Sequence, residues 1–400
     1  MKQTKGTRLH IGFFGKRNAG KSSLINNIFG QDLSIVSDTK GTTTDVVEKS
    51  MELLPIGPVT LLDTAGIDDI GELGILRVQQ TMKALNRCDV IVFVCDYEKL
   101  NEIEKDFIET NKENKTPIIC VINKQDKGEL NEKDFEFLKN STNGIIKTSK
   151  LRKEEFINSF KKELLKVIPD DVINQGKILS DIINEDETCI LVIPIDKEAP
   201  KGRLILPQVN VIRELLDNNS ITLICTPEKL SNTINSMKNP PKLVVVDSQS
   251  FKFVSEILDE NIPLTSFSIL FARLKGDLNI LYKGTKGIDE LKDNDNVLIL
   301  ESCSHHPIED DIGRVKIPNL IKKYTNKNLN FSHYAGHDFP KDITKYSLII
   351  HCGGCMTNKK EILNRLQIAE NNNVYITNYG MAIAKCIGIL DRAIKPIIEN

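Results

Sequence analysis

The phosphate-loop pattern at Gly15–Ser22 constrains the fold of this 400-residue chain more than any other feature. It reads G-K-R-N-A-G-K-S, and it stands between a short apolar segment, His10–Phe14, and a helix-like segment, Ser23–Phe29. A strand, a glycine-rich loop and a helix in this order direct backbone amides and the positive end of the helix dipole at one phosphate group. The pattern therefore predicts an α/β domain that binds a nucleotide.

Two side chains of this loop have predicted chemical roles. Lys21 is placed to reach the outer phosphates, and the Ser22 hydroxyl is placed to ligate Mg²⁺. The other loop residues that we expect to surround the phosphates are Gly15, Asn18, Ala19, Gly20 and Ser23.

Two further motifs each follow an apolar segment, and the second of them identifies the base. The motif D-T-A-G at Asp63–Gly66 follows Val59–Leu62, which places the Asp63 carboxylate at a strand end to hold Mg²⁺ through water. The motif N-K-Q-D at Asn123–Asp126 follows Pro117–Ile122. A carboxylate there accepts both N–H groups of a guanine edge, a donor pair that adenine lacks. We therefore expect residues 1–170 to form a P-loop domain that binds GTP and GDP.

This domain resembles the Era and TrmE GTPases, and the resemblance is carried by Asn18 and by the segment Gly41–Asp45, which reads G-T-T-T-D. It implies that Thr43 in switch I ligates Mg²⁺ and that Asn18 helps to hold K⁺ against the phosphates. The catalytic residues that it implies are Lys21, Thr43, Asp63 and Gly66, and the further nucleotide-binding residues are Thr42, Asn123, Lys124, Asp126, Thr148 and Ser149. Ile67 stands where Ras-like enzymes place the glutamine that orients water, so we expect slow, K⁺-activated hydrolysis.

The middle of the chain, residues 178–264, alternates apolar runs with helix-length segments. The runs are Thr188–Pro194, Ser220–Cys225 and Lys242–Asp247. Continuous apolar strands that alternate with helices predict a small parallel sheet covered by helices. Since such a sheet has edges to cover and this segment carries no catalytic cluster, we expect a small α/β dimerisation domain and a homodimer.

The last third of the chain gathers thiols and imidazoles. Cys303-Ser304-His305 is followed, after 45 intervening residues, by His351-Cys352-Gly353-Gly354-Cys355. Both groups come just after apolar strand-like runs, and groups at the carboxyl ends of parallel strands meet in one crevice. We expect residues 265–400 to form a Rossmann-like domain with a metal centre. Three thiolates fit a 4Fe-4S cluster with one exchangeable iron or a zinc ion, and the C-x-x-C pair alone fits a redox dithiol.

The combination of this motif with an upstream GTPase resembles the maturation factors of FeFe-hydrogenases, the HydF family, over all three predicted domains. The resemblance implies a 4Fe-4S cluster on Cys303, Cys352 and Cys355. The candidates for its fourth ligand or close neighbours are His305, His351, Glu309, Asp310 and Asp311. It also implies a scaffold and carrier that accepts a diiron subcluster precursor from radical-SAM maturases and delivers it to apo-FeFe-hydrogenase. Arg314 or Lys316 would balance the charge of that cargo.

Composition argues against two classes of partner. The net charge of −2 provides no basic field for nucleic acid. The amino-terminal segment lacks the apolar region of a signal peptide and no apolar run reaches transmembrane length, so we expect no membrane contact and a cytoplasmic location. Two alternatives remain: an Era/TrmE-like GTPase of RNA modification or ribosome assembly, and a GTP-regulated electron-transfer protein. The predicted fold class is α/β, with three domains that each hold a mainly parallel sheet and flanking helices.

Overall fold

The structure is a computed structural model of the full chain. It describes residues 6, 8–30, 35–39, 46–68, 72–149, 153–168, 176–195, 204–302 and 311–398. The chain divides into two compact units, Met1–Gln175 and Gly176–Asn400. Among the helices in the described ranges, none has the length and apolar character that crossing a lipid bilayer requires.

The first unit is built on one seven-stranded sheet. Its strands are β1 (Leu9–Phe14), β2 (Ile35–Thr39), β3 (Val47–Leu53), β4 (Gly57–Asp63), β5 (Val90–Cys95), β6 (Ile118–Ile122) and β7 (Gly144–Lys147). Their order is β2-β3-β4-β1-β5-β6-β7, and β3 pairs antiparallel with both β2 and β4, whereas the other pairs are parallel. Strands β1, β5 and β6 are buried at every residue, which explains their nearly continuous apolar sequences.

Helices cover both faces of this sheet. They are α1 (Lys21–Phe29), α2 (Glu72–Leu85), α3 (Glu102–Glu113), α4 (Glu132–Ser141) and α5 (Lys153–Val167). Successive side chains of a strand point to opposite faces, so Phe13 joins the core beneath Leu24 and Phe160, while Phe14 joins the core around Phe93. This packing fixes the loop between β1 and α1 at the carboxyl edge of the sheet.

The second unit holds two four-stranded sheets whose strand pairs are all parallel. The strands are β8 (Thr188–Val192), β9 (Ile221–Cys225), β10 (Leu243–Val246), β11 (Leu264–Ser266), β12 (Asn296–Glu301), β13 (Asn330–Ala335), β14 (Leu348–His351) and β15 (Tyr375–Asn378). One sheet has the order β11-β10-β8-β9 and the other has the order β13-β12-β14-β15. Strands β11, β13 and β15 are additions to the strands that the sequence predicted.

The helices of the second unit lie between and around these strands. They are α6 (Leu206–Asp217), α7 (Leu230–Asn235), α8 (Phe251–Ile257), α9 (Phe267–Lys275), α10 (Leu278–Gly284), α11 (Lys286–Asp289), α12 (Ile317–Thr325), α13 (Lys359–Asn371), α14 (Tyr379–Cys386) and α15 (Leu390–Ile398). A π-helical turn, Ile312–Lys316, precedes α12.

One hydrophobic core runs through both sheets of the second unit. It contains Ile190 and Val244 of the first sheet, Leu298 and Ile349 of the second, and Phe271 of α9. The predicted α/β class with mainly parallel sheets is confirmed. The division of this part of the chain at residue 264 stays a prediction.

Candidate functional site

A cleft of about 590 Å³ opens in the first unit where the phosphate loop was predicted. The predicted nucleotide-binding residues that line it are Asn18, Gly20, Lys21, Ser22, Ser23, Asp63, Gly66, Asn123, Lys124 and Ser149. Of the other predicted residues, Gly15, Ala19 and Thr148 are buried, and Asp126 is exposed. Thr42 and Thr43 lie outside the described residues.

The loop takes a backbone shape that demands glycine at two positions. Gly15 has φ of 140° and Gly20 has φ of 107°, values that side chains with a Cβ rarely adopt. A Cβ at Gly15 would lie 2.0 Å from the carbonyl oxygen of Val94, and a Cβ at Gly20 would lie 2.2 Å from Asn123 Nδ2. The glycines therefore allow the loop to fold tightly against its neighbours.

Lys21 begins α1 and turns its amino group back into the loop. Its Nζ donates hydrogen bonds to the carbonyl oxygens of Gly15 at 3.0 Å and Lys16 at 2.8 Å, and the side chain is buried. The ammonium is thus held inside the loop, at the position where it can attract phosphate oxygens.

Asp63 ends β4 beside the start of α1. Burial raises the pKa of Asp63 above its usual value, and a hydrogen bond with Ser22 and the charge of Lys21 oppose that rise. A carboxylate and a hydroxyl oxygen this close together form a suitable ligand pair for Mg²⁺. Gly66 follows in close contact with the phosphate loop, because a Cβ there would lie 2.8 Å from the backbone nitrogen of Arg17.

The N-K-Q-D motif is tied to the phosphate loop. Asn123 Nδ2 donates a 2.9 Å hydrogen bond to the carbonyl oxygen of Ala19. Lys124 pairs with Asp96 at 3.0 Å. The backbone amide of Gln125 donates a hydrogen bond to the carbonyl oxygen of Thr148 at 3.1 Å. The base-binding loops are therefore fixed relative to the phosphate loop by direct hydrogen bonds.

Sequence reasoning missed three residues of this region. Arg77 of α2 lines the cleft, Asp68 accepts a 2.9 Å hydrogen bond from the Arg17 backbone amide, and Asp96 holds Lys124. Asp96 directly follows the apolar strand β5, and this position is the one signal that could have revealed it.

A second cavity, of about 240 Å³, lies between the two sheets of the second unit. Cys352 and Cys355 line it, together with Ser248 after β10, Phe267 after β11 and Glu301 at the end of β12. The predicted meeting of Cys303 and His305 with Cys352 and Cys355 in one crevice stays a prediction. Cys303, His305, Glu309 and Asp310 lie outside the described residues.

The Cys352 sulfur is surrounded by polar groups. It accepts hydrogen bonds from the backbone amides of Ser302 at 3.1 Å and Gly354 at 3.4 Å, and it lies 3.1 Å from the Ser302 hydroxyl. Burial raises the pKa of Cys352, but the hydrogen bonds and the neighbouring His351 outweigh it and bring the pKa to about 7. Burial raises the pKa of Cys355 above its ordinary value. The surroundings of Cys352 therefore favour a thiolate.

Lys275, at the end of α9, lies beneath the cysteine loop and was not predicted. Its Nζ donates to the carbonyl oxygens of Gly354 and Thr357, both at 2.9 Å, and the side chain is 3% exposed. Burial lowers the pKa of Lys275 to about 8, although the two cysteines act in the opposite direction. The ammonium ties the loop together and places a positive charge near both thiols.

His351 is engaged at both ring nitrogens. Nε2 lies 2.9 Å from Arg365 Nη1, which can only donate, and Nδ1 lies 2.7 Å from the carbonyl oxygen of Cys352. Arg365 also pairs with Glu361 at 2.6 Å, and Glu361 contacts His337 at 2.9 Å. These contacts orient the imidazole.

The other predicted charged residues of this region lie at or near the cavity. Asp311 lines it and accepts a 2.8 Å hydrogen bond from the Arg314 backbone amide. The Arg314 guanidinium lies 3.7 Å from Glu301 Oε2, and Lys316 donates to Gln249 Oε1 at 3.0 Å. Within the described residues, no three His, Cys, Asp or Glu side chains are grouped to hold a single metal ion.

Three families of known domains match the chain. Residues 178–276 match the hydrogen maturase F dimerization domain, and residues 279–396 match the hydrogen maturase F tetramerization domain. Residues 10–124 match the 50S ribosome-binding GTPase family. Together the two hydrogen maturase F domains span more than half of the chain.

Curated relatives match part of the chain. The tRNA modification GTPase MnmE of Helicobacter pylori is 34% identical over 182 residues, which are 44% of this chain and 38% of that protein. The GTPase Der of Clostridium acetobutylicum is 37% identical over 139 residues, 33% of this chain and 31% of that protein. The chain thus spans about a third of the length of these relatives.

Solved structures also match part of the chain. A crystal structure of an Era variant from Aquifex aeolicus bound to GDP and AlF₄⁻ has 22% sequence identity and a TM-score of 0.32. The match covers 54% of this chain and 92% of that one.

Proposed function

This chain belongs to the hydrogen maturase F family, and from that premise we propose that it is a GTP-hydrolysing scaffold and carrier in the maturation of FeFe-hydrogenase. The observation that carries the proposal is the cavity between the two sheets of the second unit, because Cys352 and Cys355 line it. A nucleotide cleft and a thiol-lined cavity in one chain suit a protein that carries a metal group under the control of a nucleotide.

The residues around the cavity fit an iron-sulfur group. Two backbone amides donate to the Cys352 sulfur, and the buried Lys275 ammonium lies beneath the cysteine loop. Such donors favour an anionic metal-thiolate centre. Cys303, Cys352 and Cys355 would hold a 4Fe-4S cluster, which supplies, when bound, one iron with an exchangeable ligand.

The cargo in this proposal is the diiron subcluster precursor. Radical-SAM maturases supply it, and apo-FeFe-hydrogenase receives it from the carrier. The cavity walls include aromatic and aliphatic side chains such as Phe267, Phe271 and Ile383. These walls suit a compact metal complex that must be kept from bulk water during transfer.

The nucleotide site in this proposal works through the residues of the first cleft. Lys21 contacts the phosphates, Ser22 and Asp63 hold Mg²⁺ together with Thr43, and Asn18 takes part in K⁺ binding. Asn123 and Lys124 position the guanine ring with Asp126. Nucleotide exchange changes the conformation of switch loops 34–45 and 64–74. The changed loops then alter the contacts with the partner proteins.

Oligomerisation involves the second unit, as the matched dimerization and tetramerization domains indicate. Strand β9 is at the edge of its sheet and exposes Ile221 and Ile224. An exposed apolar edge strand pairs readily with a second copy of itself. We assign the homodimer contact to this edge and the protein to the cytoplasm, with domains at 1–170, 178–264 and 265–400.

Anaerobic reconstitution with iron and sulfide tests the iron-sulfur proposal. The wild-type protein is expected to bind about four iron atoms with a visible charge-transfer band. Cys352→Ser and Cys355→Ser should each lose most of that iron. Cys386→Ser is the matched control, because burial raises the pKa of that thiol to about 12 and makes it a poor metal ligand. Zinc without bound iron in the wild type would contradict the proposal.

A Lys21→Ala variant tests the role of GTP. It should lose hydrolysis and also change the exchange of partner proteins and the activation of apo-hydrogenase. Unchanged exchange and activation alongside lost hydrolysis would show that the nucleotide does not control the carrier.

A further inference from the structure

Glu104, in the first turn of α3, is a buried carboxylate that contacts the phosphate loop. Its side chain is 0% exposed, and its Oε2 lies 2.9 Å from the ammonium of Lys16, the second residue of the loop. Its Oε1 is buried and has no hydrogen-bond partner among the described residues. A buried charge is costly unless it is paired. The ammonium of Lys16 therefore compensates the charge of Glu104.

The start of the helix does not by itself account for this charge. Asn101 caps α3, and the two residues form a capping box. The Glu104 backbone amide donates to Asn101 Oδ1, and the Asn101 backbone amide donates to Glu104 Oε2, both at 2.9 Å. Glutamine serves this motif as glutamate does and buries no charge. The negative charge at position 104 is therefore explained by its contact with Lys16 and not by the cap.

The side chain of Lys16 is held at the start of α3. Its Nζ also donates to the carbonyl oxygen of Lys99 at 3.4 Å, in the segment that leads into the helix. Burial acts to lower the pKa of Lys16, but the hydrogen bond with Glu104 and the charges of nearby carboxylates outweigh it and raise that pKa above its usual value. Lys16 therefore stays protonated and bound to Glu104.

The backbone of Lys16 connects this contact to Lys21. The carbonyl oxygen of Lys16 accepts a 2.8 Å hydrogen bond from Lys21 Nζ. An ammonium carries three N–H donors, so the position of one acceptor influences where the others point. A shift of the backbone at Lys16 would therefore turn the ammonium of Lys21 away from the outer phosphates.

The phosphate loop needs side chains to hold its shape. Gly15, Asn18 and Gly20 have φ values of 140°, 62° and 107°, which interrupt any regular secondary structure. Such a backbone keeps its conformation where the surrounding structure fixes it. The side-chain amide of Asn123 holds the second half of the loop. Glu104 provides the corresponding contact for the first half.

We propose that Glu104 is a positioning residue of the GTP site. Through the side chain of Lys16 it fixes the phosphate loop in the shape that directs Lys21 at the outer phosphates. This inference concerns the GTPase domain and does not depend on the proposed carrier function.

A pair of backgrounds, wild type and Lys21→Ala, separates positioning from general stability. Glu104→Gln keeps the capping box and removes the charge. In the wild-type background it should raise the Kd for a fluorescent GTP analogue about tenfold. In the Lys21→Ala background it should change that Kd less than about twofold, because the residue through which Glu104 acts is gone. An equal rise in both backgrounds would show a general effect on the fold and overturn the proposal.

Variants of Lys16 test the same contact from the loop. Lys16→Met should raise the Kd for the GTP analogue as Glu104→Gln does. Lys16→Arg keeps the positive charge and the donors, so its Kd should stay within about threefold of the wild type. The rescue by arginine would not be expected if the side chain at position 16 only filled space.

Lys105→Met is the matched control for Lys16→Met. Lys105 lies next to Glu104 in α3 and pairs at 3.0 Å with the buried carboxylate of Asp134, which belongs to α4 and not to the phosphate loop. Its substitution also breaks an ion pair of a buried carboxylate in the same unit. The Kd for the GTP analogue should nevertheless stay at the wild-type value.

Circular dichroism and thermal unfolding show which variants are folded. Folded Glu104→Gln or Lys16→Met protein with wild-type affinity for the GTP analogue would overturn the proposal. An equal loss of affinity in Lys105→Met and Lys16→Met would do the same. If Glu104→Gln fails to fold, the Lys16 variants decide alone, because the side chain of Lys16 is 20% exposed and tolerates replacement better.

Discussion

Lys275 Nζ donates a 2.9 Å hydrogen bond to the carbonyl oxygen of Gly354, which lies 79 residues further along the chain. The two residues belong to different elements, α9 and the loop after β14, and Gly354 also lines the thiol-lined cavity. A buried ammonium is unfavourable unless carbonyl oxygens and nearby negative charge compensate it. The contact therefore indicates that the positive charge of Lys275 stabilises this loop.

We predict that Lys275→Met destabilises the second unit and weakens iron binding. The substitution keeps the length of the side chain but leaves the carbonyl oxygens of Gly354 and Thr357 without their donor. The loss should be about 2 kcal/mol in the free energy of unfolding, measured by denaturant titration. Lys283→Met, at an exposed position of α10, is the control and should change neither property. Equal stability and iron content in both variants would contradict this role of Lys275.

Gly20→Ala should weaken GTP binding. The new Cβ would meet Asn123 Nδ2, and the left-handed backbone adds a strain of about 1 kcal/mol. Because Asn123 links the base loop to the phosphate loop, we expect the Kd for GTP to rise at least about tenfold. Calorimetry or a fluorescent nucleotide measures it.

Gly388→Ala is the matched control for that experiment. Gly388 has φ of 81° and nothing lies within 4 Å of an added Cβ. The substitution Gly388→Ala imposes similar backbone strain in the second unit without a steric clash. An equal loss of GTP affinity in both variants would assign the effect to general instability.

Ile224→Lys should dissociate the dimer. Ile224 is 53% exposed on the edge strand β9, and a lysine buried across a strand pair would lose its hydration. The dimer Kd should rise at least about tenfold, as light scattering coupled to size-exclusion chromatography would reveal. Leu54→Lys, at an apolar residue 62% exposed in the first unit, should leave the dimer intact. A dimer that survives Ile224→Lys would place the contact elsewhere.

In the metal-free protein, the rate at which iodoacetamide alkylates Cys352 should rise with pH around neutrality. With a pKa of about 7, its thiolate fraction grows as pH rises, so the rate with iodoacetamide should increase about tenfold between pH 6 and pH 8 and then level off. Cys386, whose pKa burial raises to about 12, should remain almost unmodified at pH 8. Mass spectrometry of the labelled peptides separates the two sites, and equal rates would contradict the assigned environments.

The nucleotide cleft was largely predictable because its parts are local in sequence. Each motif follows a strand that is apolar on both faces, and the parallel sheet brings the strand ends together. Lys21, Asp63 and Asn123 could therefore be assigned from spacing alone, and the structure brings all three to one cleft. Arg77 could not be assigned, because its position depends on how α2 packs and not on any motif.

The second cavity was predictable in outline only. Cys352 and Cys355 follow a strand, which predicts that they lie at the carboxyl edge of its sheet, and both line the cavity. Their meeting with Cys303 stays a prediction. Lys275 and Arg365, by contrast, reach the cysteine loop from helices whose orientation no local pattern encodes. Strand β13 was not predicted, because its residues are only partly buried and its sequence therefore has a weak apolar pattern.

The hydrophobic core that the two sheets of the second unit share has a mechanical consequence. Ile190 and Val244 of one sheet and Leu298 and Ile349 of the other share that core, so parting the sheets would expose it to water. The cavity between them therefore behaves as a stiff frame whose width is set by folding. We therefore expect a ligand to enter and leave this cavity through motions of loops and side chains and not through rotation of the two sheets about a hinge.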